Sequence, residues 1–209
     1  RFLVKRVLKK VGVFCSREPL TTRLLKELTV PNVIEAPDIA FILEPGKGLK
    51  LPKPAGKLLL GVTALDWSII HSIDSASVEE YLAKIKQVVN GVDISHPVHV
   101  YIFPQVTVDS RNSDLQASKR LHELIGEDKS SLVNLESVNR PEDLIATYAQ
   151  MDLFLASRMH SAIFAMIGNV PTVGLAYQPK IQGTFELIGV PERAFGITDF
   201  DPRHVSKTL

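Results

Sequence analysis

The alternation of strand-like and helix-like segments is the feature of this sequence that most restricts its fold. Short apolar runs, such as residues 58–65, alternate almost throughout with longer amphipathic runs, such as residues 114–126. Neighbouring parallel strands need a crossover between them, and a helix is the usual crossover. The order therefore predicts an α/β fold with a Rossmann-like parallel sheet and helices on both of its faces.

Residues 43–57 interrupt this alternation. The stretch LEPGKGLKLPKPAGK is rich in Pro, Gly and Lys, a composition typical of a linker between structural units. We therefore expect the parallel sheet from about Lys57 onward, with a smaller strand-helix unit before the linker.

Composition and short motifs exclude several classes of partner. The formal net charge of +1 gives no reason to expect a nucleic acid, and no apolar run approaches the ~20 residues that span a bilayer. The sequence has no GxGxxG or GxxxxGK[ST] loop and no Cys/His cluster with metal-ligand spacing, so we predict neither a cofactor nor a metal. Cys15 is the single cysteine and cannot form an internal disulfide, which favours a reducing, cytoplasmic compartment.

The opening residues, RFLVKRVLKK, predict a basic amphipathic helix. One helical face would carry Phe2, Leu3, Val7 and Leu8. Such a helix can lie on an anionic membrane, but packing against its own domain is the more common use of an apolar face. We therefore expect packing on the protein, and membrane contact is not indicated. The start at Arg1 favours a cut through a longer protein.

Polar residues stand where two apolar segments meet, between a predicted buried strand at 153–156 and a predicted buried helix at 162–167. They are Ser157, Arg158, His160 and Ser161. In an open parallel sheet, ligands bind beyond the carboxyl ends of the strands, and a helix that begins near Ser161 favours an anion there. Arg158 offers a planar fork suited to phosphate or carboxylate, and His160 can move a proton near neutral pH.

A third basic residue, Lys180, follows the next predicted strand and so falls on the same edge of the sheet. Taken singly, Arg158 could cap the preceding carbonyls, and His160 could be a histidine satisfied within the core. With Lys180 beside them, a site for a small, strongly anionic ligand is the favoured interpretation. The other histidines that precede this block have no such context and are interpreted as structural or surface residues: His71, His96, His99 and His122.

The block SRMHSAIFAMIGNVPTVGLAYQPKIQG resembles the C-terminal signature of the polysaccharide pyruvyl transferase family. That signature has Arg-x-His at a strand end, an apolar helix, a Val-Pro strand, an aromatic residue and a Pro-Lys pair. The matching residues here are Arg158, His160, Val170-Pro171, Tyr177 and Pro179-Lys180.

Weaker matches extend the resemblance over most of the chain. The stretch VFCSREPLTTRLLKEL resembles the family's strand, Arg-acidic pair and helix, which points to Arg17 and Glu18. The stretch EAPDIAFIL resembles the short acidic segment that follows, with Asp38. The stretch from VYIFPQ to Asp114 resembles the central strand and loop.

The resemblance implies a GT-B-like fold, in which two Rossmann-like domains face one another across a cleft. Residues 1–50 would then be the tail of an otherwise missing first domain, and residues 57–209 would be the second domain. The linker around 43–57 would be a hinge region. Exposed apolar surface is expected on the N-terminal unit, because most of its parent domain is absent.

The resemblance also implies transfer of pyruvate from phosphoenolpyruvate onto a sugar as a ketal, in polysaccharide or glycan biosynthesis. The catalytic residues implied are His160, Arg158 and Lys180. The substrate-binding residues predicted are Arg17, Ser157, Ser161, Gln105 and Tyr177. Two alternatives remain open. One is a GT-B glycosyltransferase that uses a nucleotide sugar and places an acidic residue, for which Glu186 is the nearest candidate, at the donor ribose. The other is a non-catalytic fragment that binds a partner.

Overall fold

The computed structural model describes residues 2–66, 75–107 and 113–209. It contains a six-stranded and a two-stranded sheet. The strands are β1 (Phe14–Ser16), β2 (Val33–Glu35), β3 (Leu58–Thr63), β4 (Val98–Ile102), β5 (Ser130–Leu132), β6 (Leu153–Ala156), β7 (Thr172–Ala176) and β8 (Ala194–Gly196). The helices are α1 (Phe2–Leu8), α2 (Pro19–Glu27), α3 (Ser75–Ser95), α4 (Leu115–Ile125), α5 (Pro141–Tyr148), α6 (Met159–Ile167), α7 (Pro179–Leu187) and α8 (Pro202–Thr208), with 3-10 turns at Ile39–Ile42 and Pro191–Arg193.

The large sheet has the strand order of a Rossmann fold. Its order is β5-β4-β3-β6-β7-β8, and every neighbouring pair is parallel. The predicted parallel sheet is therefore confirmed. The chain runs outward from β3 to β5 and then returns to β6 beside β3, so the topological switch point lies between β3 and β6.

Two apolar clusters cover the two faces of this sheet, since successive side chains of a strand point to opposite faces. Leu60 and Val62 of β3 belong to the cluster that includes α3 and Val205 of α8. Leu59 belongs to the opposite cluster, which includes residues of α5 and α6. Both layers are needed because a parallel sheet is apolar on each face.

The two-stranded sheet belongs to a small β1-α2-β2 unit that packs on α7. Glu18 caps α2 by accepting hydrogen bonds from the backbone N–H groups of Leu20 and Thr21, both at 2.8 Å. Gly183 of α7 lies against Glu18, where a β-carbon would come within 2.5 Å of the carboxylate. Arg23 of α2 pairs with Glu186 of α7 at 2.8 Å. The absence of a side chain at Gly183 thus lets the small unit lie directly on α7.

Large exposed apolar side chains of the described residues occur among the first 42 residues, as expected for the N-terminal unit. Leu3 and Val7 of α1 are 75% and 64% exposed. The predicted packing of this helix face against the protein is therefore wrong for these two side chains. Among the described helices, none is long and apolar enough to cross a membrane.

The linker contains no helix or strand between the 3-10 turn that ends at Ile42 and the start of β3. It is nevertheless fixed along α5 and the residues after it. Backbone N–H groups of the linker donate to the carbonyl of Glu142 and to the side chains of Asp143, Thr147 and Gln150, at 2.7 to 3.1 Å; the donors are Gly46, Lys47, Leu49 and Leu51. We call this hydrogen-bonded stretch the strap; the hinge role of the linker stays a prediction.

Some local features differ from the sequence expectations. Helix α6 begins at Met159, two residues before Ser161. Strand β8 and helix α8 were not predicted. Both are short. Strand β8 forms one edge of the large sheet, and helix α8 packs on α3.

Candidate active site

A cavity of about 260 Å³ opens at the carboxyl ends of the strands of the large sheet. We call it the cationic cavity and define it by its lining residues, which are Gln105, Val106, Arg158, Met159, His160, Tyr177 and Lys180. These residues follow β4, β6 and β7. Three separate strand ends thus meet at one cavity, as the sequence predicts for Arg158, His160 and Lys180.

Two helices also begin at the cavity. Arg158 is the N-cap residue of α6, and Gln178 is the N-cap residue of α7, with Pro179 in its first turn. In neither case does the cap side chain bond to the helix backbone. The positive ends of two helix dipoles therefore border the cavity and add to the side-chain charge that favours an anion.

Arg158 is oriented by a buried carboxylate. Its Nε lies 2.7 Å and 3.0 Å from the two oxygens of Asp114, and its Nη2 also donates to Asp114. Asp114 is fully buried, and Arg158 is 17% exposed. Burial raises the pKa of Asp114, and the hydrogen bonds from Arg158 oppose that shift without cancelling it. This fork-to-fork geometry fixes the plane of the guanidinium beside the cavity.

His160 lies in the first turn of α6 among charged groups of both signs. Its Nε2 is 3.8 Å from Oδ2 of Asp38, and its ring stacks on Phe164 with centroids 6.0 Å apart. Burial lowers the pKa of His160; Asp38 opposes this, and Arg17 and Lys180 reinforce it. The imidazole is therefore mainly neutral at neutral pH and can accept a proton.

Lys180 approaches the cavity from the first turn of α7. Its Nζ lies 5.8 Å from the centroid of the Tyr177 ring. Burial lowers the pKa of Lys180, and the positive charges of Arg17 and Arg158 lower it further. These three cations thus lie near enough to repel one another, which an anionic ligand would relieve.

Arg17 reaches the site from the turn between β1 and α2, although it does not line the cavity. Its Nη1 donates to Oδ2 of Asp38 at 2.7 Å. Asp38 is only 6% exposed, and its other oxygen accepts the N–H of Ala40 at 3.0 Å. Burial favours the neutral acid, but the hydrogen bonds from Ala40 and Arg17 outweigh it and hold the pKa of Asp38 below its usual value.

The two predicted serines support the site from beneath. Ser157 is fully buried, and its hydroxyl lies 2.7 Å from the hydroxyl of Tyr81. Ser161 is also fully buried and donates to the side-chain oxygen of Gln105. Gln105 itself lines the cavity. The substrate-binding roles of all three stay predictions, and the geometry favours Gln105 over the serines for direct contact.

The roles of Asp38 and Asp114 were not predicted from the sequence. Both fell within segments that resemble the family, but neither was predicted to contact a site residue. Each immediately precedes a helical turn, and an aspartate at such a position has a sufficient local explanation as an N-cap. Asp38 does cap its turn, whereas Asp114 makes no side-chain cap bond and binds Arg158 instead.

The remaining histidines lie elsewhere. His99 contacts the hydroxyl of Ser131 at 2.9 Å, and His122 contacts that of Ser130 at 2.8 Å, consistent with structural roles. His71 lies outside the described residues. Within residues 2–66, 75–107 and 113–209, no three His, Cys, Asp or Glu side chains are placed to hold a metal ion.

The fold defines an α/β protein of the GT-B-like class, with a cavity lined by basic side chains at the carboxyl edge of its sheet. It is similar to sucrose-phosphate synthase from Thermosynechococcus elongatus, with a TM-score of 0.60 and 14% sequence identity. That likeness concerns the fold and covers 99% of this chain but 50% of the other, so the chain spans about half the length of that protein.

The family profile described as polysaccharide pyruvyl transferase matches residues 1–179. The chain belongs to the polysaccharide pyruvyl transferase family. A search of curated proteins returned no match.

Proposed function

We propose that this chain forms part of an enzyme that transfers pyruvate from phosphoenolpyruvate onto two hydroxyls of a sugar, as a ketal, in polysaccharide or glycan biosynthesis. The observation that carries the proposal is the convergence of Arg158, His160 and Lys180 on one cavity at the carboxyl edge of a parallel sheet. Family membership supports the transferase class.

The charge of the site suits this donor. Phosphoenolpyruvate is small and carries its phosphate and its carboxylate on the same carbon atom. Arg158 and Lys180 line the cavity, Arg17 lies next to it, and α6 and α7 begin at its edge. Two cations and two helix N-termini provide enough donors for both anionic groups.

The chemistry requires one group that both takes and gives protons. The donor methylene gains a proton and becomes a methyl group, and the adjacent carbon is attacked in turn by two sugar hydroxyls. The bond from that carbon to the phosphate oxygen breaks, and phosphate leaves. The two sugar hydroxyls lose two protons in total. The methylene carbon gains one proton, and the released phosphate gains the other. His160 is the proposed proton carrier, because its lowered pKa keeps a neutral imidazole ready to accept a proton.

The domain assignment is part of the same proposal. Residues 57–209 would form the second Rossmann-like domain, and residues 1–50 would continue the first. Since the chain spans half the length of the similar glycosyltransferase, the acceptor would be held largely by further parts of the whole protein. The cytoplasmic location stays a prediction from the single cysteine.

The nucleotide-sugar alternative finds less support at this edge. It predicts an acidic residue at the donor ribose, with Glu186 as the nearest candidate. Glu186 instead forms a two-bond pair with Arg23, at 2.8 and 3.3 Å, and does not line the cationic cavity. The other alternative is a fragment that only binds a partner. That function gives no reason for a neutral histidine, His160, to lie beside three basic side chains.

Calorimetric titration of the protein with phosphoenolpyruvate, inorganic phosphate and a panel of nucleotide sugars separates these functions. The proposal expects phosphoenolpyruvate to bind more tightly than phosphate, because the carboxylate adds contacts. The whole protein, assayed with a panel of acceptor sugars, should release phosphate only with phosphoenolpyruvate and should yield a pyruvyl ketal. Binding of a nucleotide sugar without binding of phosphoenolpyruvate would overturn the proposal.

A further inference from the structure

Asp38 connects two parts of the site that are far apart in sequence. Its Oδ2 accepts a hydrogen bond from Arg17 at 2.7 Å and lies 3.8 Å from Nε2 of His160. Its Oδ1 is held by the N–H of Ala40 at 3.0 Å. One buried carboxylate thus stands between a cation of the N-terminal unit and the imidazole at the start of α6.

The distance to His160 has a specific meaning. At 3.8 Å the contact is too long for a hydrogen bond, but it is short enough for a strong interaction once the imidazole carries a charge. Catalytic contacts are often long before the substrate binds and tighten afterwards. Asp38 is therefore placed to act on the protonated form of His160 more than on the neutral form.

The charges around His160 explain why its protonation needs a nearby carboxylate. The groups that act on the imidazole are Asp38 from the segment before the linker, Arg17 from the β1–α2 turn and Lys180 from the start of α7. Of these, two are cations and Asp38 is the anion. A protonated imidazole would face two positive charges without it, and proton uptake would be suppressed.

We infer that Asp38 is a positioning residue that allows His160 to carry a proton between two fixed cations. The role of His160 as proton carrier for a substrate rests on the proposed function. The test does not, because it measures the pKa of His160 without any substrate. The carboxylate acts through the imidazole and does not itself exchange a proton with the substrate. Arg17 has the opposite effect, since it neutralises part of the charge of Asp38.

Nuclear magnetic resonance titration of the histidine C2–H signals tests this arrangement, with the His160→Gln spectrum assigning the signal. Asp38→Asn should lower the pKa of His160, because the anion is lost and both cations remain. Arg17→Gln should raise it, because a cation is lost and Asp38 keeps its full charge. A purely structural role for the Arg17–Asp38 pair predicts no such opposite shifts.

Two further substitutions complete the test. Asp38→Glu keeps the negative charge, so the pKa of His160 should lie closer to its original value than it does in Asp38→Asn. Glu27→Gln, an exposed change on α2, should leave the pKa of His160 unchanged. If Asp38→Asn does not fold, Arg17→Gln decides alone. Shifts of the same sign in Arg17→Gln and Asp38→Asn, or an unmoved or lowered pKa in Arg17→Gln, would overturn the inference. Opposite shifts without any binding of phosphoenolpyruvate would instead overturn the proposed function and leave the role of Asp38 standing.

Discussion

Asp114 and Arg158 form a planar, bidentate ion pair at the cationic cavity, with the carboxylate fully buried. A buried pair of this kind contributes little net free energy relative to an apolar pair, but it is costly to break from one side. The pair therefore holds the guanidinium in place and makes the residue just before α4 part of the support of the site.

Loss of Asp114 should destabilise the fold. Asp114→Ala leaves the largely buried guanidinium of Arg158 without its main partner, and we expect the free energy of unfolding to fall by about 3–5 kcal/mol. Urea denaturation measures this change. Glu127→Ala, an exposed change just after α4, is the control and should stay within about 0.5 kcal/mol. Equal effects of the two substitutions would contradict an orienting role for Asp114.

His160→Ala should slow turnover more than it weakens donor binding. A proton carrier acts mainly in the transition state, so kcat should fall by roughly 10²–10⁴-fold while the KM for phosphoenolpyruvate changes little. Steady-state kinetics of the whole protein with phosphoenolpyruvate as the varied substrate would measure both. An unchanged kcat with a raised KM would reassign His160 to simple anion binding.

Lys180→Ala and Arg158→Ala should weaken binding of the anionic donor. Each removes a charge-assisted contact, which contributes about 1.5–3 kcal/mol and corresponds to a loss of about ten- to a hundredfold in affinity. Calorimetric titration with phosphoenolpyruvate provides the measurement for Lys180, where folding is least affected. Lys207→Ala, an exposed change on α8, is the matched control. An affinity equal to that of the control would remove Lys180 from the site.

Stability should depend on Asp38 in the acid range. Because the folded state lowers the pKa of this carboxyl, the unfolded state binds the proton more readily. The stabilisation is therefore complete above the unfolded pKa, near 3.9, and is lost as the pH falls through the folded value. The difference in Tm between the protein and Asp38→Asn should be constant above about pH 5 and should shrink below about pH 4. A difference that grows on acidification would show the opposite linkage.

Two glycine substitutions in the linker should lower the free energy of unfolding by unequal amounts. Gly48 has φ +63°, and a β-carbon there would lie 2.8 Å from the backbone nitrogen of Thr147. Gly56 has φ +72° but no atom within 4 Å of the same position. Gly56→Ala should cost only the strain of a positive φ, about 1–2 kcal/mol, whereas Gly48→Ala should cost clearly more because the strap must leave α5. Chemical denaturation of both variants measures the difference, and equal losses would mean that the strap yields freely.

The sequence was sufficient for the sheet because its signals are local. Apolar strands such as β4 and β6 and the helices between them each carry their own pattern, and parallel connection follows from their order. The convergence of Arg158, His160 and Lys180 followed from the same rule, since strand ends share one edge.

The carboxylates of the site could not be recognised in this way. Asp114 contacts a residue 44 positions away, and nothing in its own neighbourhood reveals that partner. Asp38 caps a local turn with one carboxylate oxygen, and its other oxygen lies 3.8 Å from the distant His160. Strand β8 has three residues, which is too few for a period to be read. Such features depend on tertiary packing, so a single sequence does not predict them.

The strap along α5 also determines how Asp38 meets His160. A loose tether of this length would let the N-terminal segment wander, and the carboxylate would reach the imidazole at only a millimolar effective concentration. Because Gly46, Lys47, Leu49 and Leu51 are hydrogen-bonded at or just after α5, most of the entropy of closing that loop is lost when the protein folds, not when the contact forms. Asp38 and His160 therefore meet without a further loss of chain entropy, so the contact can strengthen as soon as the imidazole gains a proton.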